Sequence, residues 1–272
     1  MCPRCGVACD WGINTKRRML THWKCKTRVF PLSGTAMEHS RIPTQVWFYA
    51  MLHLANSRES VNAYFFVRHL GISLKASQRM LRRIRLHLAA VDLRRALGAP
   101  GEYLEVRVEP VRGATLPMSN RTTPASVLFI EAQGRVDSIV LDTTRRYRIR
   151  RLLLDRVRPG ARVFTTCHSS WRMIHNYRSP LSSSIEFMRR RPCNESRPDG
   201  ITGLLSSFRR GLRAQHQAVE LQNLWLYLKE YEFRYNRRMR SQETLWDMLA
   251  SFPAVDTDAE RCLRRFYSDV SA

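Results

Sequence analysis

The sequence predicts a mixed α/β protein. Three observations carry this: a short, turn-rich start bearing cysteines; a helix-period stretch broken by a glycine turn; and a longer stretch ordered strand, strand, strand, helix, strand, helix. The zones divide at 1–34, 35–97 and 98–250, with a tail helix expected over 251–272. The 272 residues suffice for one large core or a few smaller ones.

The first zone holds Cys2-Pro-Arg-Cys5-Gly6, Trp23-Lys24-Cys25 and Phe30-Pro-Leu-Ser-Gly34. So short and polar a segment buries little, and a metal is the natural staple. Cys2, Cys5 and Cys25 give three thiol ligands where Zn²⁺ takes four. A second knuckle read as Cys25-Lys-Thr-Arg28 has arginine at its fourth position, and His22 and Cys9 lie nearby without the usual spacing. The segment therefore reads as a degraded zinc ribbon, with zinc at low occupancy or absent. Cys167, Cys193 and Cys262 stand alone and read as ordinary small residues.

In the second zone, Pro43 suits the first turn of a helix carrying Val46, Trp47, Phe48, Ala50, Met51 and Leu52. A further helix runs from about Ser60 to Leu70. Gly71-Ile72-Ser73 makes a turn, with Ser73 as N-cap of a third helix from Lys75 to Leu88. Leu70, Ile72, Ala76, Met80 and Ile84 are spaced to pack two helices across that turn, as in a helix-turn-helix. Lys75, Ser77, Gln78, Arg79, Arg82 and Arg83 are left to point outward, where Arg and Gln read base edges in a major groove. An ordinary helical hairpin with a solvated basic face has the same pattern.

In the third zone, Tyr103, Leu104, Val106 and Val108 mark a strand ending at Pro110. Residues 126–130 and 137–141 flank Gly134 as a hairpin. Thr144 to Val157 reads as an amphipathic helix, Arg162 to Thr165 as a fourth strand and Ser184 to Met188 as a fifth. Ile201 to Arg213 and Val219 to Tyr235 read as helices.

Charge narrows the function. Lys plus Arg is 46 against 23 Asp plus Glu, a net of +23, and only five of the basic residues are lysine. A GC-rich genome explains the Arg:Lys ratio but not the excess of positive charge, which points to a polyanion and above all to nucleic acid. No apolar run is long enough to span a bilayer, and the N-terminus lacks a signal core, so the reading is cytosolic. The odd count of seven cysteines argues against a disulfide framework.

Taken in order, Cys-x-x-Cys-Gly, the second knuckle, Ser33-Gly-Thr35, Ile42-Pro-x-x-x-Trp47 and His69-Leu-Gly-Ile-Ser73 resemble a group of bacterial insertion-sequence transposases related to the eukaryotic Merlin elements. Phe208-Arg-Arg-Gly-Leu-Arg213 resembles the group's basic segment after its last acid. Tyr227-Leu-x-Glu-x-x-Phe-Arg-Tyr-Asn-Arg-Arg238 resembles its terminal signature. Members usually carry a short lead before the first cysteine pair, where this chain begins. The resemblance implies an RNase H-like core, Mg²⁺, action on DNA at element ends near the bacterial nucleoid, and assembly as homo-oligomers or with intact relatives.

It also implies three metal-binding acids, and here they are replaced. The matching positions fall on Arg107, Thr166 and Thr202, with family-like spacing between the last two. Two Mg²⁺ ions need oxygen ligands, above all carboxylates. Glu105 and Glu109 share a strand face with Arg107 but sit about 7 Å along it, and Asp199 lies one helical turn before Thr202. The expectation is a transposase-family DNA-binding protein that does not cut. Lys75, Gln78, Arg79 and Arg82 would read DNA, and Arg209, Arg210, Arg213, Arg237 and Arg238 would grip its backbone. The other readings left open are an active enzyme with relocated acids and a pseudogene product with no selected function.

Overall fold

The computed structural model describes the chain except residues 3, 9, 17–18, 58–60, 94–96, 116–121, 166–185, 189–199, 217–218, 254 and 269–272. Thr166, Cys9, Cys167, Cys193 and Asp199 lie outside the described residues.

Three short antiparallel strands open the chain: β1 (Trp11–Asn14), β2 (Met19–His22) and β3 (Arg28–Val29). Three helices follow: α1 (Thr44–Asn56), α2 (Ala63–Leu70) and α3 (Leu74–Asp92). The Asn62 side chain accepts from Phe65 N to cap α2. Gly71 closes it at φ 62°, a left-handed conformation that costs a residue with a Cβ. Ser73 caps α3 by accepting from Ala76 N, as the sequence predicts.

The main sheet has β4 (Tyr103–Thr115), β5 (Thr122–Ala132) and β6 (Arg135–Leu141) as an antiparallel meander. It continues on the other side of β4 with β7 (Arg162–Phe164) and β8 (Glu186–Met188), both parallel. The order is β6-β5-β4-β7-β8, a mixed sheet. The β5–β6 turn is Gln133-Gly134, both with positive φ, as a two-residue hairpin requires.

Two departures from the sequence reading have local causes. Strand β4 does not stop at Pro110 but runs to Thr115. Between Glu105 and Ala114 no described strand pairs the β7 side of β4, so the missing proline N–H can face that side. A register shift between Val111 and Ala114 marks a bulge. Val219 and Glu220 do not begin a helix. They form β9, parallel to Ala114 and Thr115 of β4, and the helix starts at Leu224.

Alternation along β4 and β5 sends side chains to two cores. Leu104, Val106, Val108, Leu128 and Ile130 meet Ile149 and Leu153 of α4 (Arg146–Arg156). On the other face, Val127 and Phe129 meet α5 (Gly200–Gly211) and α6 (Leu224–Asn236). That second core is continuous with Trp47, Met51, Phe66, Met80 and Ile84 of the N-terminal helices. It also takes in Met248 of α7 (Ser241–Leu249) and Leu263 and Tyr267 of α8 (Thr257–Tyr267). The helix-turn-helix is thus built into the body of the protein.

The terminal signature on α6 supplies the polar joints. Glu230 Oε2 accepts from Arg85 Nε of α3 at 2.6 Å, fully buried, and Glu230 Oε1 accepts from Arg234. Asn236 brackets Val136 of β6, bonding both its N–H and its carbonyl at 2.8 Å.

Candidate functional site

Two of the three positions that the resemblance matches to the family's acids meet. Arg107 sits on β4 and Thr202 on the first turn of α5, which packs on the same sheet face. Arg107 Nη1 donates to Thr202 Oγ1 at 3.1 Å, and Arg107 Nε donates to Glu105 Oε1 at 2.6 Å. The guanidinium therefore ties strand to helix, with a carboxylate balancing its charge. Across the sheet Glu105 pairs with Glu131, whose Oε2 accepts from Gly200 N at 3.0 Å and Ile201 N at 3.3 Å. Glu131 thus caps the start of α5, where orphan N–H groups and the helix dipole favour an anion. Sequence reasoning passed over Glu131, because nothing local marks a strand residue as the cap of a helix some seventy positions on.

A pair of Mg²⁺ ions does not fit these residues. A guanidinium and a hydroxyl stand where carboxylates are needed. The two neighbouring carboxylates already serve Arg107 and the α5 N-terminus. Among the described residues, the group of His, Cys, Asp and Glu close enough to share a metal lies elsewhere.

That group is Cys2, Cys5, His22 and Cys25, whose ligand atoms all lie within 4.8 Å of one another. Cys2 Sγ is 3.5 Å from Cys25 Sγ, Cys5 Sγ is 3.7 Å from His22 Nδ1, and His22 Nδ1 is 3.1 Å from Cys25 Sγ. A tetrahedral zinc with ordinary bond lengths sets such edges at about 3.5–3.8 Å; two of these edges match and the His22–Cys25 edge is shorter, so the four residues are compatible with Zn²⁺. The donors nearest Cys2 and Cys5 are thus His22 and Cys25, with the same two-residue gap, and Arg28 is not among the four. The two knuckles share one backbone form. Gly6 N bonds to Cys2 O and Lys26 N bonds to His22 O, each at 2.9 Å, and both Gly6 and Lys26 have positive φ. The Thr27 hydroxyl, 3.0 Å from Cys25 Sγ, leads the contacts that pull the Cys25 thiol down to about 6, which favours the thiolate a metal needs.

Along α3 the outward residues divide. Lys75, Gln78 and Arg79 are exposed. Ser77 is not: it is fully buried and donates to Ala63 O at 2.8 Å, pinning α3 to α2. Arg82 leans onto the C-terminal elements, donating to Asn223 Oδ1 at 2.8 Å and pairing with Glu260 of α8. Arg83 donates to the carbonyls of Ala36 and Glu38.

Among the other expected backbone contacts, Arg209, Arg210, Arg213 and Arg238 are exposed. Arg237 is a correction. It is 6% exposed and held by Asp92 at 3.0 Å and Asp247 at 2.7 Å, because burial of a guanidinium demands paired carboxylates.

Beneath α6 lies a buried ionic cluster that the sequence did not reveal. Lys229 Nζ bonds Asp137 at 2.6 Å and Glu232 at 2.8 Å, Arg156 bonds Asp137 at 2.7 Å, and Ser138 donates to Glu232 at 2.7 Å. Burial, reinforced by the Asp137 carboxylate, pushes Glu232 up to about 8. Burial also works against ionised Asp137, but Lys229 and Arg156 outweigh it and hold that carboxyl down to about 2.

A family model described as an ISXO2-like transposase domain matches residues 101–236, half of the chain, spanning the sheet, α4, α5 and α6. Among curated proteins nothing matches the chain.

Proposed function

The chain belongs to the ISXO2-like transposase family, and from that premise we propose that it binds DNA through α3 but does not cut it. One observation carries the second half: the Arg107 guanidinium, paired with Glu105, bridges to Thr202 at the place where the family holds metal-binding acids. A cation in that position repels divalent metal, and without two bound ions neither water nor a 3′-hydroxyl is activated.

Binding is supported by the net charge of +23 and by the position of α3. Its C-terminal half is buried in the shared core while Lys75, Gln78 and Arg79 at its N-terminal end face solvent. A recognition helix contacts base edges with residues of its N-terminal end. The Cys2–Cys5–His22–Cys25 set would hold zinc as a structural staple, fixing a three-stranded sheet too small to stand on its own core.

The test is incubation of the protein with labelled DNA carrying the ends of its own element, in Mg²⁺ and in Mn²⁺. A retained gel shift that survives competitor DNA, with no nicked product, supports the proposal. Metal-dependent nicking at the element boundary overturns it in favour of an enzyme with relocated acids. No competitor-resistant shift leaves the product without a DNA function.

A further inference from the structure

The bulge in β4 opens a second cationic site. Between Val111 and Ala114 the pairing with β5 slips, and Arg112 is exposed. Facing it across a cavity of about 510 Å³ are Arg209 and Arg213 from α5 and the π-helical turn that follows it (Leu212–His216), with Pro110, Gly113 and Leu212 completing the lining. No acidic side chain is among these lining residues. Arg209 is steadied by the Pro110 carbonyl at 3.4 Å. Three guanidiniums lining one notch, with no carboxylate among its described lining residues, repel one another unless an anion joins them. Planar guanidinium forks match the tetrahedral oxygens of a phosphate.

We infer that Arg112, Arg209 and Arg213 form a seat for a single phosphodiester of a DNA backbone, separate from the recognition helix. The inference rests on the DNA-binding reading above and adds to it a second contact point. Thr202, Ser206, Arg209 and Arg213 are all exposed and recur at helical spacing, so one stripe runs along α5 and into the π-helical turn, from Thr202 to the notch. From residue 202 to residue 209 the helix rises about 10 Å, roughly three base steps of one DNA strand. The seated phosphate therefore lies about three nucleotides from the Arg107–Thr202 bridge.

The experiment compares the salt dependence of duplex binding for the full chain, the triple variant Arg112→Ala/Arg209→Ala/Arg213→Ala, and a helix variant Lys75→Ala/Gln78→Ala/Arg79→Ala. Each phosphate contact contributes about 0.9 to the slope of log affinity against log salt. One shared phosphate predicts that the triple variant loses about 0.9, and that Arg112→Ala alone loses less, because Arg209 and Arg213 remain on the same phosphate. The helix variant should lose sequence discrimination and keep the notch's contribution. A loss near three times that value means three separate contacts and overturns the single seat. An unchanged slope overturns the notch altogether. Saturation of the notch by inorganic phosphate at constant ionic strength, with an unchanged slope in the triple variant, assigns it to a free anion and also overturns the inference. If the unaltered chain binds no duplex at all, the DNA-binding reading fails first. All three arginines are exposed, so the variants should melt like the parent.

Discussion

Arg107 and Thr202, 95 positions apart in the chain, are joined by a 3.1 Å hydrogen bond from guanidinium to hydroxyl. The bond links β4 to the first turn of α5. Arg107→Ala removes it together with the ion pair to the buried Glu105 carboxylate. The expected cost is about 3 kcal/mol, against about 1 kcal/mol for Thr202→Ala, both read by denaturant melts. Restoring acids together, as Arg107→Asp, Thr166→Asp and Thr202→Glu, should give a protein that is less stable alone and regains stability with Mn²⁺. At a hundredfold excess over Kd the gain is about 2.7 kcal/mol. A restored protein whose melt ignores Mn²⁺ would mean that the frame around these positions no longer suits metal.

Zinc should bind with a stoichiometry of one per chain, measured by metal analysis of protein purified without chelator. Cys25→Ser and His22→Ala should each abolish it, since either leaves three ligands for a site that closes with four. Equal zinc content in His22→Ala would return the fourth ligand to another residue. Arg28→Ala, by contrast, should leave zinc unchanged.

On α3, substitutions should separate by burial. Loss of Gln78 or Arg79 to alanine should weaken specific binding by about 1–3 kcal/mol per base contact and relax discrimination at one position. Ser77→Ala and Arg82→Ala should lower the melting temperature instead. Their partners are Ala63 O, Asn223 and Glu260 within the protein. A loss of sequence discrimination in Ser77→Ala, with stability unchanged, would contradict this division.

Stability should fall as pH rises from about 5 to about 8. Glu232 has its folded pKa raised to about 8 from 4.5, so the folded state holds a proton that the unfolded chain has released. Ionising it inside the cluster costs up to about 1.4 kcal/mol per pH unit over that window. Asp137 has the opposite sign. Its folded value near 2 gives stability present above 3.8 and lost only as pH falls toward 2. Glu232→Gln should flatten the melting profile between pH 5 and 8, and a slope that persists would place the titration elsewhere.

Much of this fold is written locally. The Ser73 cap, the Gly71 turn and the Gln133-Gly134 hairpin follow from residues within a few positions of one another. What escaped depends on distant partners. Ser77 and Arg82 share the spacing of an outward face, and only the tertiary position of Ala63 and α8 takes them out of it. Arg237 reads as one more surface cation until Asp92, 145 positions away, closes on it. The strand role of Val219 and Glu220 exists only through Ala114 and Thr115, over a hundred positions earlier, whose free side they pair. His22 was within reach: counting His22-x-x-Cys25 against Cys2-x-x-Cys5 gives the same spacing, hidden by expecting a cysteine first.

Manganese binding by the unaltered protein is the most direct probe of whether the sheet centre has lost its metal chemistry. Crystals soaked in Mn²⁺ and measured at the manganese absorption edge should show no anomalous peak beside Arg107 and Thr202. Two peaks there, close together and flanked by Glu105 or Glu131, would contradict the non-cutting assignment.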